Sequence, residues 1–134
     1  MKNENGVLEF KKYYIEKLKY SFNPNCAAIN NTVDIKPEFK RDIENLQDGG
    51  FALHLLFEIK SSETSPIAMH IDMVGVFNMK SNIENDIKMA YSKASAILFP
   101  YLRSAITQIT MQVGIPPLVI PIINIEKLFD EEKS

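Results

Sequence analysis

The chain has 134 residues, of which 46% are hydrophobic and 24% charged, with a formal net charge of −2. That is the size and balance of one soluble globular domain and unlike a disordered chain. A slightly acidic chain lacks the basic footprint of a nucleic-acid binder, and the single Cys26 can neither close an internal disulfide nor complete a four-ligand zinc site.

The N-terminus, Met1-Lys2-Asn3-Glu4-Asn5, is polar, with no signal-peptide run behind it. Nothing approaches the roughly 20 apolar residues that span a bilayer. The longest apolar run, Ile115 to Ile123, is interrupted by three prolines. No membrane insertion is expected, and the expected location is cytoplasmic.

From Leu8 to Met79 the hydrophobic period is two residues, the strand repeat. Leu8, Phe10, Tyr14, Leu18, Tyr20 and Phe22 share one parity. Lys12 and Glu16 interrupt it and point to a bulge or an edge. The chain breaks at Asn23-Pro24-Asn25, and a loop carrying Cys26 and Ile29 ends near Asn30-Asn31. Val33, Ile35, Phe39 and Ile43 then alternate with charged neighbours until Asp48-Gly49-Gly50 turns the chain. The third strand has the cleanest pattern, with Phe51, Leu53, Leu55, Phe57 and Ile59 on one side and Ala52, His54, Leu56, Glu58 and Lys60 on the other. Ser61 to Pro66 reads as a polar hairpin loop, after which Ile67, Met69, Ile71 and Met73 lead into Gly75-Val76-Phe77. Short loops between successive strands predict an antiparallel sheet with one face buried.

The second half is helical. Ile83, Ile87, Ala90, Tyr91, Ala94, Ile97, Leu98, Tyr101, Leu102, Ala105, Ile106, Ile109 and Val113 recur at spacings of three and four. Ser81 or Asn82 can cap the start, and Gly114 fits the end. Pro100 removes one backbone donor and is expected to kink or split the helix. Beyond Gly114 the prolines favour an extended segment, and Asn124 to Glu132 reads as a short amphipathic helix with Ile125, Leu128 and Phe129 inward. The expected fold is α+β, a four-stranded antiparallel sheet followed by a long kinked helix and a short C-terminal helix. Residues 1–134 form one domain in this reading, with 1–7 and 130–134 flexible.

Enzyme chemistry needs convergent polar groups, and the sequence is poor in them. It has no Gly-rich phosphate loop, no G-x-S-x-G and no H-E-x-x-H. Cys26, beside Asn25 and Ala27, reads as a small filler more readily than as a nucleophile. His54 and His70 share the polar parity of adjacent strands. A hairpin symmetric about Glu63 sets His54 opposite Asp72, a pair able to tune an imidazole. A solvated sheet face or a subunit contact is the plainer account of both. No catalytic residue, metal or cofactor is expected.

The apolar features are less ordinary. Ile115 to Ile123 is either a return crossover on the core or a lid over a groove that accepts apolar chain, since surface loops are normally polar. Met69, Met73 and Met79 share a strand parity, which suits plain core or a re-packing binding surface. One long helix cannot cover both apolar faces of such a sheet, so an oligomer is expected.

Particular residues add a resemblance. Ile97-Leu98-Phe99-Pro100-Tyr101 with Arg103, then Pro116-Pro117-Leu118, then Pro121-Ile122-Ile123-Asn124-Ile125 before Leu128-Phe129, resemble the C-terminal half of the SecB family. In that family an L-F-P-Y-A-R run lies in the long helix, with a proline segment and an A-L-F helix after it. Gly75-Val76-Phe77 is similar to the family's G-I-F, and the resemblance covers Leu8 to Phe129. It implies a homotetramer, a dimer of dimers with long helices between sheets, that holds unfolded precursor polypeptides and delivers them to SecA. It also implies a client groove that maps onto Phe22, Ile29, Leu53, Leu55, Phe57, Leu118, Ile120, Ile122, Leu128 and Phe129.

Two departures bear on delivery. The family's SecA-docking surface is acidic on the first strand, where this chain has Lys17-Leu18-Lys19-Tyr20-Ser21, and its long acidic tail is replaced by Asp130-Glu131-Glu132-Lys133-Ser134. SecB-like chaperones of toxin–antitoxin systems need no such surface, so an antitoxin is the alternative client. A hot-dog enzyme is disfavoured because its main helix comes early among the strands. A purely structural oligomer is the remaining rival.

Overall fold

The computed structural model describes residues 8–25, 35–63, 65–79 and 84–114. Four strands, β1 (Leu8–Phe22), β2 (Glu38–Asn45), β3 (Gly50–Ile59) and β4 (Ile67–Met79), precede one helix, α1 (Glu84–Gln112). The strands form one antiparallel sheet in the order β1-β4-β3-β2. The four-stranded sheet and long helix agree with the expected fold. The proline segment and the short C-terminal helix lie outside the described residues.

β2 and β3 are joined by the turn anticipated at Asp48-Gly49-Gly50. It is a single 3-10 turn, Gln47–Gly49, in which Gly49 has φ +81° and a Cβ would lie 3.0 Å from the Met79 carbonyl. Only glycine takes that backbone without strain. The β3–β4 hairpin is centred one residue beyond Glu63, so His54 pairs with Val74 and Leu56 with Asp72. The shift moves each partner by two positions, which preserves which face every side chain occupies.

β1 departs most from simple alternation. Its pairing with β4 shifts between Phe10 and Lys12 and again between Ile15 and Lys17. Each shift inserts one extra residue and exchanges the two faces beyond it. Tyr13 therefore lies opposite Gly75, Ile15 opposite Met73, Leu18 opposite Ile71, Tyr20 opposite Met69 and Phe22 opposite Ile67. Directly opposed residues share a face, so Leu8, Phe10, Tyr13, Ile15, Leu18, Tyr20 and Phe22 all stand on the helix side. Tyr14, opposite Val74, stands on the other, contrary to its position in an unbroken alternation. Lys12 and Glu16 had marked the irregularity, and β1 is indeed an edge.

α1 runs unbroken through Pro100. Of the two expected outcomes, a kink or a split, the split does not occur, although the missing N–H leaves the Ala96 carbonyl without its intrahelical donor. Gly114, with φ +86°, ends the helical turn as expected of a C-cap. The buried stripe is Ala90, Ala94, Leu98, Leu102, Ile106 and Thr110, spaced every four residues. Ile97 and Tyr101, 38% and 40% exposed, lie off it. The stripe packs on Phe51, Leu53, Leu55, Phe57, Ile71, Met73 and Phe77, each at most 1% exposed. Met69 and Met73 belong to this core, whereas Met89 and Met111 face solvent at 55% and 59%.

Candidate functional site

The helix reaches the sheet at different depths on its two flanks. Toward β2 the seam is closed: Phe99 meets Phe39 edge-on at 5.7 Å, Tyr91 meets Phe51 at 4.9 Å, and Arg41 Nη1 donates to the buried Ser95 hydroxyl at 3.0 Å. Toward β1 the ring contacts lie near one end, where Tyr101 packs tilted at 4.4 Å on Tyr13 and at 5.9 Å from Phe10. Further along β1 the helix-side face emerges from cover, with Ile15 38%, Leu18 48% and Phe22 45% exposed.

Tyr13, Ile15, Leu18 and Phe22, with Ile97 and Tyr101 on the facing flank of α1, thus make an open apolar strip rooted in the core. An open hollow of about 720 Å³ near the β3–β4 hairpin takes its lining from both faces of the sheet, Leu18 and Tyr20 from the helix side and Lys19, Ser21, Glu58 and His70 from the other. Scattered exposed apolar residues are ordinary on a soluble domain; a contiguous rim of large ones marks an interaction surface. Among the described residues the outer edge of β1 has no strand partner, and its backbone donors and acceptors lie beside the strip.

The residues expected to line a groove divide into three groups. Phe22 lies on the strip. Leu53, Leu55 and Phe57, at 0%, 1% and 0% exposure, form the packed floor under α1. Ile29, Leu118, Ile120, Ile122, Leu128 and Phe129 fall outside the described residues, as does Cys26. Tyr13 and Ile15 were not singled out by sequence because alternation counted across two bulges sets them opposite to Leu18 and Phe22, and Leu18 was read on the apolar parity without being assigned to the groove; the charged interruptions at Lys12 and Glu16 were the available signal.

The opposite face of the sheet holds the polar groups. His54 Nδ1 lies 3.1 Å from Asp72 Oδ1 even though the two are diagonal and not opposed, so the expected pair forms despite the shifted hairpin. Glu16 approaches the same nitrogen at 3.8 Å, and Glu44 approaches Nε2 at 3.5 Å. Burial pushes the imidazole pKa down, but the hydrogen bond and charge of Asp72, with Glu44 and Glu16, carry it above 6.5. No nucleophile adjoins this cluster among the described residues. Lys17 and Lys19, on the same face and pairing with Asp72 and His70, are exposed.

The family model for the preprotein translocase subunit SecB matches residues 1–134. The chain belongs to the SecB family. A SecB protein-export protein of Bartonella bacilliformis is 26% identical over 135 residues, covering 95% of this chain and 84% of the relative. That of Methylococcus capsulatus is 24% identical over 127 residues, covering 91% and 82%. An uncharacterised protein of Methanocaldococcus jannaschii is 35% identical over 130 residues, covering 89% and 80%. A SecB-like chaperone of Mycobacterium tuberculosis, solved with a ChAD peptide from the HigA1 antitoxin, has the same fold. Its TM-score is 0.69 at 12% identity, with 89% of each chain covered. Membership in the SecB family supports a chaperone role in protein export, and the members are chaperones, not enzymes.

Proposed function

We propose that this SecB-family chain is a holdase that keeps unfolded polypeptides export-competent by taking their apolar segments onto the β1–α1 strip. The observation that carries the reading is the emergence of four large apolar side chains, Tyr13, Ile15, Leu18 and Phe22, on the helix-side face of β1, which α1 meets through Tyr101 at Tyr13 and Phe10. Apolar burial is non-directional, so such a surface holds many clients without reading their sequence. The open backbone edge adds strand-like hydrogen bonds that are equally indifferent to sequence. To the same client groove we assign Phe22, Ile29, Leu118, Ile120, Ile122, Leu128 and Phe129, with Leu53, Leu55 and Phe57 supporting it from the core beneath α1. The chaperone works in the cytoplasm as a homotetramer.

Phe22→Asp and Leu18→Asp place a charge at positions already near half exposure, so the fold tolerates them. Each is expected to weaken binding of a fluorescent unfolded client roughly tenfold or more, on the 1–3 kcal/mol scale of one buried side chain, with circular dichroism unchanged. Unchanged affinity in both would remove the strip from the site. Ile122→Asp should likewise weaken client binding more than oligomerisation; loss of the tetramer instead would make its segment a core crossover.

For the recipient, SecA delivery is the first reading and a dedicated antitoxin client the second. The second is favoured by exposed Lys17 and Lys19 in place of acidic residues. Lys17→Glu with Lys19→Glu is expected to strengthen SecA binding if the docking mode is the family's, and to leave antitoxin binding unchanged.

A further inference from the structure

The outer face of the sheet carries a convergence that client binding does not use. His54 on β3 meets a carboxylate from each of the other three strands: Asp72 of β4 and Glu16 of β1 at Nδ1, and Glu44 of β2 at Nε2. A neutral imidazole bears one N–H, so it can donate on one side only and turns a lone pair toward a carboxylate on the other. Only the imidazolium satisfies both sides. The His54 and Asp72 side chains are 18% and 16% exposed, so solvent screens this pair less than a surface pair.

Glu16 has a second property. It sits where the pairing jumps from Ile15–Met73 to Lys17–Asp72, so it is the extra residue of the second β1 bulge. We infer that protonated His54 is a clasp across all four strands, holding the bulge at Glu16 and so the register that keeps Leu18, Tyr20 and Phe22 on the helix side. A one-residue slip of that segment would turn its apolar side chains to the wrong face.

The surrounding charges are mixed. Asp42 of β2 lies directly opposite His54, though its carboxylate accepts from the Ile43 N–H at 3.0 Å. Lys17 opposite Asp72, Lys40 opposite Leu56 and Lys12 opposite Val76 bring positive charge to the same face, but all three are exposed. Glu58 and His70 pair with one another one step along. The three carboxylates nearest the ring therefore dominate. Because the folded form binds the proton more tightly than an unfolded chain does, the clasp is closed below pH 6.5 and opens as pH rises through the folded-state midpoint.

The test follows the His54 ring by NMR in the full chain under a chelator, with amide exchange measured at residues 18–22. The expected midpoint lies above 6.5 and falls in Asp72→Asn. Exchange across Leu18–Phe22 should accelerate several-fold through the midpoint, beyond the intrinsic base-catalysed rise, and Glu16→Gln should abolish that extra step while keeping the fold by circular dichroism. A midpoint at or below 6.5, or identical exchange in the Glu16→Gln and parent chains, overturns the clasp. So does a raised midpoint that disappears on chelation, because a metal ion and not a proton would then join the strands.

Discussion

At Gly75 a single missing methyl group sets how closely helix and sheet approach. A Cβ there would lie 2.9 Å from Phe77 Cε1 and 3.1 Å from both Leu98 methyl carbons. Leu98 is 0% exposed and central in the buried stripe of α1. Gly75→Ala is therefore expected to cost about 1–3 kcal/mol by overpacking, read as a lower urea midpoint with an unchanged slope. Leu98→Ala, which opens a cavity at the same contact, is expected to cost about 2–5 kcal/mol. The double variant should lose less than the sum, because the new methyl fills part of the void. Sequence marked Gly75 only as part of a G-V-F run; its role depends on Leu98 crossing above it, a contact 23 positions away in the chain and invisible to local periodicity. His54 and Asp72 were easier to read, since strand alternation places both on the polar face whichever even shift the hairpin adopts.

At the scale of the element, β1 shows how pattern and geometry can part. β3 and β4 read correctly because strict alternation holds along both, from Phe51 to Ile59 and from Ile67 to Met73. β1 has a clear apolar pattern too, but at positions 8, 10, 13, 15, 18, 20 and 22, where each step of three spans a bulge. Counting by twos misplaces Tyr14 and overlooks Tyr13 and Ile15. Deleting Glu16 removes the extra residue of the second bulge, so Ile15 and Lys17 keep their partners and the melting temperature should change little. Deleting Lys19 forces a choice in which either Tyr20 and Phe22 or Leu18 leaves the apolar face. The expected result is a clearly larger drop in melting temperature for the Lys19 deletion; equal effects would mean the bulges are not what sets the face. In α1, Pro100 was legible as a kink or a split, and the helix continues through it because packing of Leu98, Phe99 and Leu102 holds the turn together. Pro100→Ala restores a donor to the Ala96 carbonyl and is expected to stabilise the chain by up to about 3 kcal/mol.

For the whole molecule, the decisive feature is an imbalance between one helix and a four-stranded sheet. Among the described residues, α1 seals the β2 side and the centre and leaves β1 half open, with no strand paired to its outer edge. A monomer exposing such a strip risks aggregation; on the proposed reading, copies of the chain cover part of it and unfolded chains take the rest. The sequence disclosed this imbalance through its apolar content and element order, and its L-F-P-Y and proline runs disclosed the family. It did not disclose which apolar residues emerge, because that depends on where the helix ends its contact with β1. The direct test is light scattering of a chemically denatured protein diluted into buffer with and without this chain, alongside the chain's native mass. The holdase reading predicts suppressed aggregation by a species near four subunits, reaching completion near stoichiometric ratios. A monomer that leaves aggregation unchanged would contradict it and reduce the likeness to SecB to one of fold.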